Sequence, residues 1–171
     1  METPDLSRFD PAMVIVTTAA GGEHDGCLVG FHSQASIDPL HLCVWLSRAN
    51  RTFALARDAT HLGVHRLQDT PAHRTLAAHF GEQTGDDVDK LAGLATTDGP
   101  GGVPLLDDVA DRVVVRIEHV TDAGGDHVAF VGPVAAHHGF DAEADPDPAP
   151  PLRLAAVDDL DPGHEADDPP R

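Results

Sequence analysis

The sequence predicts a mainly β domain: six to seven strands in a small antiparallel barrel, with two or three short helices between them. Three observations carry this. Short apolar or alternating runs recur at 13–18, 26–31, 40–46, 61–67, 112–120 and 127–136, the period and length of strands. Glycine-rich or polar turns join several of them as hairpins, notably around Gly21-Gly22 and Gly124-Gly125. Helix starts are few, so the chain lacks the regular strand–helix alternation of a doubly wound sheet.

The elements follow in order. Residues 1–11 read as an irregular lead-in, and β-branched 13–18 as the first strand. Residues 19–25 are polar and glycine-rich and read as a loop to the next strand, where Cys27, Val29 and Phe31 alternate with Leu28 and Gly30. Asp38-Pro39 breaks the run before the apolar strand 40–46. Asn50 is a helix cap for a helix through Asp58, and 61–67 alternates as a fourth strand. Thr70-Pro71 starts a helix to about Phe80, with Gly81 as its stop. Gly85-Asp86 starts a further short helix with acids in its first turn. Residues 96–102 form a loop and 104–106 a short strand. One long strand, 112–120, turns at 123–126 into its partner, 127–136.

Composition bounds the function. A chain of 171 residues is one domain with an appended tail. We divide it into a domain over 1–138 and an acidic, proline-rich linker and tail over 139–171. Residues 141–151 hold almost only Asp, Pro and Ala and cannot order themselves by burial, whereas 151–157 is apolar enough to dock back. The formal charge of -18 excludes nucleic acid and anionic membrane as natural partners. Cys27 and Cys43 lie in apolar strands without metal spacing, as buried thiols of a cytoplasmic protein would. No run approaches the roughly 20 apolar residues of a membrane helix, and the first residues carry no secretory signal. No metal site is expected, His137, His138 and His164 included. No nucleophile elbow, phosphate loop or zinc-protease motif occurs, and no Gly-x-Gly-x-x-Gly precedes a helix.

Basic residues are uneven. Arg48, Arg51, Arg57, Arg66 and Arg74 fall in one stretch, either an island for an anionic ligand or a set of surface pairs. Within it, Ser47, Arg48, Asn50, Arg51 and Thr52 offer hydroxyls, an amide and guanidiniums before a helix start, a pattern suited to phosphate. Upstream, Gly30, Phe31, His32, Ser33, Gln34, Ala35 and Ser36 form a strand edge where glycine admits close approach of a ligand. Together they read as a cradle for a phosphorylated, planar cofactor.

Five segments in order, MVIVTT, GCLVGFHSQASIDPL, LSRANRT, GPGGVPLL and GGDHVAFVGPV, resemble the flavin reductase family built on the FMN-binding split barrel. The resemblance covers residues 9–136. It implies a split β-barrel, a homodimer, and FMN as cofactor, with FAD or the deazaflavin F420 as alternatives. It implies NAD(P)H as hydride donor and a monooxygenase as a partner taking the reduced flavin. Residues 30–36 match the family's ring-contacting strand, 47–52 its phosphate segment, and His127 its Gly-Asp-His donor-binding histidine. Gly30, Phe31 and Gln34 stand where the family pattern has Asn, Ser and Ser. No side chain is assigned as acid or base, since the flavin carries the hydride chemistry. The other readings are an F420-dependent oxidoreductase on the same barrel and a non-catalytic flavin-binding or storage protein.

Overall fold

A computed structural model describes residues 3–141, 143, 145 and 147–163. His164 and the rest of the predicted tail, 164–171, lie outside the described residues. The strands are β1 (Val14–Ala20), β2 (Glu23–Val29), β3 (His32–Ser36), β4 (His41–Ser47), β5 (His61–Arg66), β6 (Thr96–Asp98), β7 (Pro104–Leu106), β8 (Arg112–Arg116), β9 (His119–Asp122) and β10 (His127–His138). The helices are α1 (Arg51–Ala56) and α2 (Pro71–Glu82). Eight strands form one antiparallel sheet in the order β2-β1-β5-β8-β10-β4-β3, with β9 also on β10. Cys27 and Val29 of β2 share a core with Val44 and Leu46 of β4, so the sheet curls toward itself as a split barrel.

Strand alternation builds two cores. Val14 and Val16 point into the barrel with Leu62, Val64, Val115 and Phe130. Met13 and Ile15 point outward and pack with Ala77 and Phe80 of α2. Each fully buried side chain of this kind contributes about 1.5–3 kcal/mol. α1 closes one end of the barrel, burying Phe53 and Ala56, with the Phe53 ring edge-on to Phe130 at 6.1 Å. Leu152 is fully buried in the second core with Val157; its N–H donates to the Leu67 carbonyl and its carbonyl accepts from Met13 N–H. The apolar segment 151–157 thus docks as its composition predicts. Among the described residues no helix is long and apolar enough to cross a membrane.

Several boundaries differ from those expected, each for a physical reason. Gly21 and Gly22 have φ of +60° and +84°, the geometry of a two-residue hairpin turn, so strands replace most of the loop expected over 19–25. α2 continues through Gly81; there a Cβ would come within 3.1 Å of Leu28, so this glycine serves close packing, not helix termination. The helix expected after Gly85 does not form. Thr84 and Asp89 side chains accept the Asp86 and Leu91 N–H groups, and such local bonds compete with the helical ladder. Residues expected as loop supply β6, which pairs with β7.

The long strand expected over 112–120 divides into β8 and β9. Ile117 N–H still donates to Thr60, beside β5, while Glu118 N–H donates to Val131 of β10. The chain therefore changes partner between these two residues. Gly132 makes the change possible: a Cβ there would lie 1.8 Å from the Arg116 carbonyl oxygen.

Gly132→Ala forces backbone apart and is expected to destabilise the fold by about 3 kcal/mol or more, read as a lowered unfolding midpoint. His65 is fully buried, its Nδ1–H donating to the Ile15 carbonyl and its Nε2 accepting from Leu106 N–H. Burial pushes its pKa down to about 4. The unfolded chain therefore binds this proton more readily, so the stabilisation is present above pH of about 6.5 and is lost as pH falls toward 4. Urea titrations should show a loss approaching 3 kcal/mol (roughly) across that window, flattened in His65→Gln.

Candidate functional site

A cleft of about 330 Å³ opens beside the ends of β2, β4 and β10. The β10–β4 ladder sets His127 opposite Ser47 and Ala129 opposite Trp45. Trp45 N–H donates to the Phe31 carbonyl at 2.9 Å, which brings Phe31 alongside. Trp45 and Ser47, two residues apart in a strand, face the same side. Phe31, Trp45, Ser47, Asn50, Asp126 and His127 thereby line one cleft. The Phe31 and His127 rings meet edge to face, with centroids 5.0 Å apart. His127 Nδ1 donates to Asp126 Oδ1 at 2.8 Å, and that bond holds the Asp126 carboxyl below the usual range.

The pleat of β3 divides the stretch 30–36. Gly30 and Phe31 line the cleft. His32 and Gln34 pair with the inward-facing Val44 and Leu42 and line a second cavity of about 600 Å³ with Val64, Val113 and Val134. His32 Nε2 donates to the Ala12 carbonyl at 2.8 Å. Ser33 and Ala35 are exposed on the strand, and the register shifts between Gln34 and Ser36. Successive residues of a strand face opposite sides, so the side chains of 30–36 do not share one face.

The segment 47–52 is divided as well. Ser47 and Asn50 reach the cleft. Asn50 Oδ1 accepts Thr52 N–H as the α1 cap, leaving its amide N–H groups to donate. Arg48 pairs with Asp122 and donates to the Gly125 carbonyl. Arg51 turns toward the β1–β2 hairpin, donating to the His24 carbonyl and pairing with Glu23 at 3.4 Å. Thr52 is fully buried and donates its hydroxyl to Asp25. α1 has only six residues, so side chains rather than a helix dipole define this corner. Arg66 and Arg74 pair with Asp111 and Asp69, and Arg57 lies over the Phe53 ring at 6.0 Å. Of the two readings of the basic stretch, the described geometry matches the set of surface pairs.

Sequence reasoning missed Pro11, Met13, Trp45, Asp126, Leu154 and Pro162, which also line the cleft. Trp45 carried a signal, two residues before Ser47 in a strand; Leu154 and Pro162 come from a segment far away in sequence. Cys27 also borders the cleft, where burial pushes its thiol up to about 11, so it stays protonated and unreactive. Among the described residues no group of three His, Cys, Asp or Glu side chains is arranged to hold a metal ion.

A family model described as "Flavin reductase like domain" matches residues 6–154. The reductase subunit HsaB of a flavin-dependent monooxygenase from Rhodococcus jostii is 29% identical over 135 residues, covering 77% of this chain and 64% of that protein. Across three curated relatives, the chain spans 24%, 58% and 64% of their length. An FMN-binding protein from Thermus thermophilus, solved with p-hydroxybenzaldehyde, superposes with a TM-score of 0.73 at 22% identity, over 82% of this chain and 78% of that one. Nitrilotriacetate monooxygenase component B from Mycobacterium thermoresistibile gives 0.70 at 23% identity, over 84% and 76%. These superpositions establish the shared fold.

The Asn50 cap yields its own prediction. Asn50→Ala is expected to cost about 1 kcal/mol of stability by leaving Thr52 N–H without its partner, whereas Asn50→Asp should retain the cap. Thermal or urea unfolding of the two variants checks this.

Proposed function

The chain belongs to the family of flavin reductase like domains, and on that premise we propose that it binds FMN in the cleft and is an NAD(P)H:flavin oxidoreductase. One observation carries the proposal: Phe31, Ser47, Asn50 and His127, from three separate segments, converge on one cleft. Those segments are the ones that resemble the family's flavin and donor motifs. A mostly apolar cleft with a few convergent polar groups suits a planar ring with a polar tail.

The bound flavin would supply the hydride-accepting ring. Gly30 gives its backbone close access to that ring. Phe31 and Trp45 wall the cleft and exclude water. Ser47 and the Asn50 amide donate toward the phosphate. His127, oriented by Asp126, contacts the nicotinamide donor through packing and hydrogen bonding and transfers no proton. Arg48, Arg51 and Thr52 support this corner from behind. His32, Ser33, Gln34, Ala35 and Ser36 shape the adjoining strand, and its exposed edge is available to a second copy of the chain in a homodimer. The product would be reduced flavin for a monooxygenase. Reduced thiols at Cys27 and Cys43 fit a cytoplasmic setting.

Purified protein is expected to bind FMN and to oxidise NADH or NADPH only when flavin is added. Binding without turnover with either donor would instead identify a flavin-storage protein. His127→Ala should raise the donor KM more than it lowers kcat and leave FMN affinity unchanged. A fall in kcat with the donor KM unchanged would make His127 a participant in the chemical step and reject this role.

A further inference from the structure

The chain contains one lysine, Lys90, and its side chain is only 1% exposed. Its Nζ lies 3.7 Å from Oδ1 of Asp25, which is also buried. The second carboxylate oxygen, Oδ2, accepts the Thr52 hydroxyl at 2.8 Å. One carboxylate thus joins β2, the first turn of α1 and the segment that follows α2. Burying such a pair is costly, and apolar residues of equal volume often stabilise a fold as well. Stability alone is therefore a weak reason for it.

The surroundings leave the pair little room. A Cβ at Gly85 would lie 2.5 Å from Asp25 Oδ1. On the far side, His79 Nε2 of α2 donates to the Lys90 carbonyl at 2.6 Å, and Leu91 is buried in the second core. On the near side the pair adjoins the cleft twice. Thr52 N–H donates to Asn50 Oδ1, and Asn50 lines the cleft. Cys27, two residues beyond Asp25 on the same face of β2, lines it too.

We propose that Lys90 and Asp25 are positioning residues: the ion pair fixes Thr52, and through it sets the pose in which Asn50 and Ser47 meet the cofactor phosphate. This rests on the reading of the cleft as a flavin site. Lysine suits the task because its ammonium is a compact charge on a long stem that reaches inward from a loop. The carboxylate, held by Lys90, stays in place to accept the Thr52 hydroxyl.

Paired titrations with FMN and riboflavin test this, since the two ligands differ only in the phosphate. The wild-type chain is measured first; if it binds neither, the flavin reading and this proposal both fall. If it binds both, Lys90→Met should weaken FMN by about tenfold or more while riboflavin changes by less than about threefold. Thr52→Val, which keeps the ion pair, should give the same selective loss, and it keeps the test decisive if Lys90→Met does not fold. The double variant Asp25→Asn/Lys90→Met has no buried charge and retains an acceptor for Thr52, so it should recover FMN affinity. Equal losses for the two ligands, or lower thermal stability with unchanged FMN affinity, would make the pair purely structural and overturn the proposal while leaving the flavin reading intact.

Discussion

The approach of the Gly132 backbone to the Arg116 carbonyl governs the rest of the architecture. β10 pairs with β4 along one edge, from His127 to Pro133. Along the other edge it pairs first with β9 and then with β8, with a register shift inside the β8 pairing between Val134 and Ala136. A side chain at position 132 would hold those edges apart. Without one, a single twelve-residue strand serves both halves of the sheet and lets it curl. The start of β10 then brings His127 to the cleft, while its far end brings Val134 and His137 to the larger cavity.

Local signals made much of this legible. The β-branched runs, the Asn50 cap and the Thr70-Pro71 start each have a cause within a few residues, and each is realised in the fold. The division of β8 from β9 has no such local cause. Nothing in the run Val113-Val114-Val115-Arg116-Ile117 marks a break; the cause is a glycine on another strand. Gly85-Asp86 shows the converse error. Its acids resemble a helical first turn, but Thr84 and Asp89 satisfy nearby backbone groups themselves, and Lys90 is drawn inward.

The cleft was legible as segments, not as facing side chains. Phe31 and His32 are neighbours in sequence and line different cavities. Arg48 and Arg51 look alike in sequence, but each turns to a nearby acid. A chain with a formal charge of -18 offers its arginines many such partners. Neutral donors at Ser47 and Asn50 consequently hold the cleft position that composition suggested for guanidiniums. Leu154 and Pro162 reach the same wall through the docking of Leu152, a tertiary event that residue spacing cannot express.

Burial of Lys90 also changes how the molecule presents itself to reagents. With the only lysine enclosed, the folded surface carries no side-chain amine. Amine-directed acylation, aldehyde fixation and lysine cross-linking will find no side-chain target on the native protein. Acylation at position 90 will therefore report opening of the barrel end rather than surface accessibility, making this one residue a built-in gauge of local unfolding.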